Sequence, residues 1–413
     1  MRKQREFKQT EIGRIPKDWE VVTLEEVMSL FHNGIWGEEP IVHEKSYPVI
    51  RSTEITRDGK IDLSNVAFRK IPEEKVSKYN LKGGDILLVA SSGSSNLIGR
   101  AAIFKQPRKG EVYLFSNFML RLRPENVDSI FLYYYLNSPR YYRFLKSLQQ
   151  TSTGLRNLPK REFIKFKLPL PPLPEQQKIA EILSTVDEAI EKVDDSIEKT
   201  KRLKNGLMCE LLTKGIGHKE FKDTEIGRIP KEWEVSSLSK IIKLASGKTR
   251  PSEIADMPST TMPHPVYGGN GILGYTNTFI VDKETIVIGR VGEYCGSIHK
   301  TLGLAWITDN ALYAVEIQRG SVELDYLIYS LAFINLNKFK KKSGQPLMTQ
   351  KIIYSISIPL PPLPEQQKIA EILSTVDKRL ELLRSKKEKL ERIKKGLMNE
   401  LLTGQRRVKI LES

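Results

Sequence analysis

The stretch PLPPLPEQQKIAEILSTVD occupies residues 169–187 and returns, identical at all nineteen positions, at 359–377. Pro169, Pro171, Pro172 and Pro174 force an extended path, because each proline fixes φ and disfavours the helical conformation in the residue before it. They forbid a helix before residue 175. Glu175 then opens a helix, where a negative charge suits the first turn. From there apolar residues alternate at spacings of three and four: Leu183, Val186, Ile190, Val193 and Ile197. The pattern passes Thr200 and Lys204 and resumes at Leu207 and Leu211. The second copy gives Leu373, Val376, Leu380, Leu383, Leu390, Leu397 and Leu401, with Lys387 and Lys394 at the polar steps. This is a heptad seam held over about five heptads in both copies. Gly206 and Gly396 lie near the ends. A helix from 175 to about 213 spans roughly 58 Å and cannot hide its seam alone. Its expected partner is the other copy. A globular body must fit between them, so an antiparallel pairing with a pseudo-twofold axis is predicted. A helix packed on its own body is the alternative.

The repeat extends in both directions. EFKQTEIGRIPKDWEV at 6–21 returns as EFKDTEIGRIPKEWEV at 220–235, and KNGLMCELLT at 204–213 returns as KKGLMNELLT at 394–403. The offset falls from 214 to 190 across the bodies, so the first body is 24 residues longer. An internal duplication of this kind sets the architecture before any single element does. The bodies have diverged but still align. GDILLVASSG at 84–93 sits where KETIVIGRVG at 283–292 sits; FSNFMLRL at 115–122 matches TDNALYAV at 308–315 and pairs Asn117 with Asn310. These β-branched runs bounded by Gly, Ser and Asn read as strands. The Leu/Tyr segments at 127–148 and 322–339 read as amphipathic helices. The expected fold is α+β: two mixed α/β domains related by pseudo-twofold symmetry, joined by two long helices that form an antiparallel coiled coil. The expected segments are 1–174 for the first body with its opening stretch and hinge, 175–214 for the first helix, 215–363 for the second body, and 364–413 for the second helix and tail.

At 413 residues the chain has room for more than one core. No run of 18 apolar residues is present, and the N-terminus lacks the apolar region of a secretory signal. Cys209 and Cys295, the only cysteines, are too few for a disulfide framework and fit a reducing cytoplasm. A net charge of +16 points to a polyanionic partner, with nucleic acid first and a membrane surface second. The excess is in the bodies: 23 Lys and Arg against 15 Asp and Glu over 22–168, and 13 against 9 over 236–358. Two diverged basic readers on a rigid strut suggest duplex DNA read at two places, about one helical turn or roughly 34 Å apart.

The motif IPK[DE]WEV, the hinge PLPPLPEQQKIAEIL, the helix ending in ELLT and their twofold repetition resemble the specificity subunit of type I restriction-modification systems. YPVIRSTEI at 47–55, GDILLVASSGSS at 84–95 and PVYGGNGILGYTNTF at 265–279 are similar to variants of that family's target recognition domains. The resemblance covers nearly the whole chain. It implies one recognition domain per half of a bipartite, asymmetric DNA sequence. It implies two methyltransferase subunits docked on the repeated helices and restriction/translocase subunits joining them. S-adenosylmethionine, ATP and Mg would belong to those partners, with no cofactor, metal or catalytic residue in this chain. A specificity subunit of a related system that fuses methyltransferase and nuclease would look much the same. An enzyme with an unrecognised site and a coiled-coil protein scaffold are the remaining alternatives.

The motifs agree with a non-catalytic reading. The sequence has no phosphate-binding glycine-lysine loop, no NPPY-type tetrapeptide and no Pro-Asp dipeptide to start a nuclease core. Glu73-Glu74-Lys75 is a common surface triplet. Gly269, Gly271 and Gly274 satisfy G-x-G-x-x-G, but strands rather than a helix follow, so they read as turns. The five histidines, His32, His43, His218, His264 and His299, lack ligand spacing. Cys209 reads as a packed small residue on the helix. Trp19 and Trp233 read as packing anchors, and Tyr133, Tyr134, Tyr135, Tyr141 and Tyr142 as mostly a helix's core face. For DNA contact the candidates are polar and basic loop residues. In the first body these are Arg51, Ser91, Ser92, Ser94, Asn96, Arg100, Arg156, Lys160 and Arg161. In the second they are Lys248, Arg250, Asn270, Arg290, Lys300, Lys340, Lys341, Lys342 and Gln345. Each could equally be a solvated surface residue.

Overall fold

Residues 6–56, 58–150, 157–339 and 346–409 are described by the structure, a computed structural model. The chain forms two units, one from residues 1–192 together with 387–413, the other from 193–386.

The first unit begins with a hairpin of β1 (Phe7–Thr10) and β2 (Gly13–Pro16), followed by β3 (Glu20–Thr23) and β4 (Met28–Asn33). Then come β5 (Tyr47–Ile50), β6 (Ala67–Arg69), α1 (Glu73–Tyr79), β7 (Ile86–Val89), β8 (Ala101–Ile103), β9 (Leu114–Phe115) and β10 (Met119–Pro124). α2 (Ser129–Tyr135), α3 (Pro139–Gln150), α4 (Lys160–Phe163) and β11 (Lys167–Leu170) lead into α5 (Leu173–Leu211). The antiparallel sheet β4-β10-β7-β8 is the centre, and β6-β5-β9 is a second sheet with β5 and β9 parallel. All four residues of β7 are buried. Successive side chains of a strand point to opposite faces, so Ile86 and Leu88 enter one core with Phe131, Leu132 and Tyr135 while Leu87 and Val89 enter another with Phe115 and Met119.

The second unit repeats this plan. β12 (Phe221–Thr224), β13 (Gly227–Pro230) and β14 (Glu234–Ser237) precede α6 (Leu238–Ile241) and β15 (Ile242–Ser246). β16 (His264–Gly268), β17 (Gly271–Thr276), β18 (Ile286–Gly289), β19 (Ile298–Lys300), β20 (Trp306–Ile307) and β21 (Ala311–Ile317) follow. α7 (Leu324–Ile334), α8 (Gln350–Tyr354) and β22 (Ser357–Leu360) lead into α9 (Leu363–Leu401). Its sheets are β15-β21-β18-β19 and β17-β16-β20, the same orders with each strand replaced by its counterpart. Part of the extra length of the first body lies between β4 and β7, where α1 has no equivalent. The glycines of G-x-G-x-x-G fall in the β16–β17 hairpin, with a bulge between Val266 and Tyr267.

The hinge is a strand: Pro169 lies opposite Val21 in the two-stranded pair β11-β3, an edge position where a missing N–H is tolerated. The helices start two residues earlier than their prolines suggest, at Leu173 and Leu363. Pro174 and Pro364 sit inside the first turn, whose N–H groups have no intrahelical partner, so proline costs nothing there. In the first unit Ile179, Ala180 and Leu183 near the start of α5 pack with Met398, Leu401 and Leu402 at the end of α9. In the second, Leu211 and Leu212 at the end of α5 pack with Ile369, Ala370 and Leu373 near the start of α9. Start meets end in both units, which is the antiparallel pairing. Among the seam residues Leu183, Val193, Ile197, Leu211, Leu373, Val376, Leu380 and Leu401 are buried, and Val186, Ile190, Leu207, Leu383, Leu390 and Leu397 are half-buried.

Polar residues close the seam in matched form. Lys394 reaches Asp187 at 2.6 Å, and Tyr134 donates to the same carboxylate at 2.7 Å. Lys204 reaches Asp377 at 2.6 Å, and Tyr329 donates to it at 2.8 Å. Burial pushes both phenols well above the ordinary tyrosine range, and the neighbouring aspartates add to it. Cys209 differs from the sequence expectation: it is exposed on α5, because it falls off the seam.

Candidate nucleic-acid interface

Gly34, directly after β4, and Gly247, directly after β15, mark equivalent places in the two units. A Cβ on Gly34 would stand 1.9 Å from the Phe115 carbonyl oxygen, and one on Gly247 2.2 Å from that of Thr308. Only glycine allows so close an approach of two backbones. The next residue donates inward in each case, Ile35 N–H to Phe115 O at 2.8 Å and Lys248 N–H to Ile307 O at 2.9 Å. These contacts gather several loops at one end of each central sheet.

In the first unit Asn33 is the hub. Its amide donates to the Asn117 carbonyl at 2.9 Å and its oxygen accepts from Lys160. Ala90 and Ser91 donate their N–H groups to Phe118 O at 2.8 and 3.1 Å, and Leu158 N–H donates to Ala90 O at 2.7 Å. Ser91 Oγ donates to Asn157. The structure thus brings the candidates Ser91 and Lys160 together, with Ser92, Ser94 and Asn96 continuing the same loop and Arg161 exposed beside Lys160. Asn33, Phe118 and Asn157 join them and were not singled out from the sequence. Their one signal is the Asn-Gly pair at 33–34 opposite Ser-Gly at 246–247. Phe118 is exposed in the turn where Asn117 sits, and Asn310 occupies the matching turn. Both asparagines act through their backbone carbonyls.

In the second unit Arg290 N–H donates to Asn310 O at 2.9 Å, Met348 N–H donates to Arg290 O at 2.8 Å, and the Arg290 guanidinium reaches Ser246 Oγ at 3.2 Å. Ser297 Oγ donates to Gly269 O, which holds the exposed Asn270 turn against the same end. Lys248, Arg250, Asn270 and Arg290 are therefore neighbours of one loop cluster.

Two candidates lie elsewhere in character. Arg51 turns back onto Glu54, with contacts of 2.6 and 3.1 Å, and that partner holds its guanidinium above the ordinary arginine range. Lys300 sits at the opposite end of β19 from Arg290, paired with Asp325 at 2.8 Å and Glu284 at 3.2 Å. Both charges are spent inside the unit. Arg100 is half-buried, with its guanidinium 3.5 Å from Thr56 O. Arg156, Lys340, Lys341, Lys342 and Gln345 lie outside the described residues.

Buried groups behind the cluster fix its shape. Arg121, 2% exposed, donates to the carbonyls of Lys78 and Asn80 at 2.9 Å each and to His32 Nε2 at 2.5 Å. His32 Nδ1–H donates to Asn33 O at 2.8 Å, so both ring nitrogens have one tautomer to satisfy. Burial pulls His32 below the ordinary histidine range, and the Arg121 cation adds to it. Glu73 of the Glu73-Glu74-Lys75 triplet takes the Tyr47 hydroxyl and Lys45, a surface role. Among the described residues no three His, Cys, Asp or Glu come close enough to hold a metal ion, and no helix is long and apolar enough to cross a membrane.

Residues 16–199 and 230–392 each match the type I restriction modification DNA specificity domain. The chain belongs to that family. A chain of Methanocaldococcus jannaschii named as the MjaX type I restriction enzyme specificity subunit is 35% identical, over 98% of both chains. The MjaVIII specificity subunit of the same organism is 32% identical, over 99% of this chain and 98% of that one. The crystal structure of the type I restriction-modification S subunit from M. genitalium shares the fold, with a TM-score of 0.64 over 95% of this chain and 96% of that chain at 17% identity. The two specificity-domain matches fall on the two bodies, and each includes the loop cluster built around Gly34 or Gly247.

Proposed function

We propose that this chain is the sequence-reading subunit of a type I restriction-modification complex and does no chemistry itself. Each unit reads one half of a bipartite, asymmetric target in duplex DNA through the loops gathered at one end of its central sheet. The paired helices α5 and α9 carry the docking surface for two methyltransferase subunits, and restriction/translocase subunits join through these. S-adenosylmethionine, ATP and Mg act on the partner subunits. The observation that carries this reading is the repetition itself: one backbone plan, twice, with Asn33, Ser91 and Lys160 at one copy's loop cluster and Ser246, Lys248 and Arg290 at the other's. A frame kept identical and a face kept different are what two readers of two unlike half-sites need.

A base-modification map of the source genome, with the gene intact and deleted, tests it. Loss of methylation at one split, asymmetric motif is the expected result and gives the target directly. Replacing residues 22–168 with another recognition domain should then change one half of the motif. A change in both halves would rule out one reader per half.

A further inference from the structure

The second unit holds an open cleft of about 810 Å³ at its loop cluster. One wall is the segment 247–253 that leaves β15; Thr276 at the end of β17 with Asn277 and Thr278 form another, and Trp306 of β20 and Asp309 also line the cleft. Reciprocal backbone bonds between Ala255 and Tyr275, at 2.8 and 2.9 Å, staple the walls together, so the cleft is a built feature. Lys248 N–H bonding to Ile307 O fixes where the first wall starts.

We infer that this cleft is the base-reading surface of the second unit, with Arg250 and Asn277 as its specificity-determining side chains and Lys248 as a phosphate contact. The inference rests on the proposed function and names the site within it. Among the described residues, no hydrogen bond or ion pair engages the side chains of Lys248, Arg250 or Asn277, and all three are exposed. Of the other candidate cations in this unit, Arg290 reaches Ser246 Oγ at 3.2 Å and Lys300, at the far end of β19, is held by two carboxylates. The cleft beside the matching segment of the first unit has a different chemistry. There Lys45 is paired with Glu73 at 2.8 Å and Lys70 with Glu44 at 2.6 Å, so two of the three lysines that line it are neutralised. The buried Trp306 indole N–H has no hydrogen-bond partner among the described residues. A planar guanidinium and a carboxamide are the two groups that can meet a purine edge with two bonds at once, whereas an ammonium is a point charge suited to phosphate.

The test is selection of duplexes from a randomised pool by the full chain and by variants. Wild type is expected to select a split consensus. Asn277→Ala and Arg250→Ala should each relax adjacent positions in one half only, lowering preference for the selected base by roughly 5- to 150-fold. Asn277→Asp should move the preference at its position towards cytosine, whose amino group a carboxylate accepts, which a merely misfolded chain cannot do. Lys248→Ala should weaken all duplexes alike and reduce the salt dependence of binding by about one charge. A split wild-type consensus that the Arg250 and Asn277 variants leave intact, or weaken uniformly, would overturn the cleft while leaving the proposed function standing. A wild type that selects no sequence would overturn both.

Discussion

Glu175 and Glu365 stand at the same place in the repeat, and each closes a small network. Trp19 Nε1 donates to Glu175 at 2.9 Å, and Arg407 grips the same carboxylate at 2.7 and 2.8 Å while also holding Asp18. Trp233 Nε1 donates to Glu365 at 3.0 Å, and His218 takes the place of the arginine at 2.9 Å. Burial disfavours the Arg407 charge, yet Glu175 and Asp18 outweigh it and hold the guanidinium above the ordinary arginine range. Trp19→Phe removes a buried donor and leaves a gap, and should cost about 2–4 kcal/mol in urea unfolding; Trp233→Phe should cost a similar amount. Arg407→Met leaves a fully buried carboxylate short of its cation and should cost on the order of 3 kcal/mol. A second effect at this scale is pH. Burial holds both His32 and His299 below the usual histidine value of about 6.5. The unfolded chain therefore binds protons that the folded chain refuses. Stability is complete above about pH 6.5 and declines as pH falls towards the folded values. His32→Gln should flatten that part of a melting-temperature profile between pH 7 and pH 5; an unchanged slope would mean His32 is protonated in the folded state as readily as outside it. The Trp anchors were legible in the sequence because each sits in a repeated motif. Their partners were not: Arg407 lies 232 residues from Glu175, and no local pattern announces a pair so far apart.

At the scale of elements, the hinge, the two long helices and the matched strands were all readable, since prolines, heptads and alternation are local properties. What local pattern could not supply was how loops assemble. Asn33, Phe118 and Asn157 come from three separate stretches and meet only because β4 and β7 end, and β10 begins, at the same end of one sheet. Arg51 is drawn back by a local device instead: a turn of 3₁₀ helix at Ser52–Glu54 brings its guanidinium onto Glu54. One helical feature remains unexplained by packing. Gly206 and Gly396 lie within α5 and α9 with nothing within 4 Å of a built Cβ and no positive φ. In the isolated chain, Gly206→Ala and Gly396→Ala should each stabilise by about 0.5–1 kcal/mol, read as a raised urea midpoint. If the same variants lower co-purification of a methyltransferase subunit, a partner approaches the helix closely there.

The whole molecule is nested: the second unit, 193–386, is one uninterrupted stretch, while the first is assembled from 1–192 and 387–413. The ribosome therefore releases everything the second unit needs before it releases the pieces that finish the first. Until Leu401, Leu402 and Arg407 emerge, the first unit has an open core and an unmet Glu175. A message cut short by a frameshift or a stop after Lys386 would yield one sound reader and one unfinished one. On the proposed function such a product could still engage half a site, so the order of synthesis makes completion of the first unit the last step before a whole target can be read.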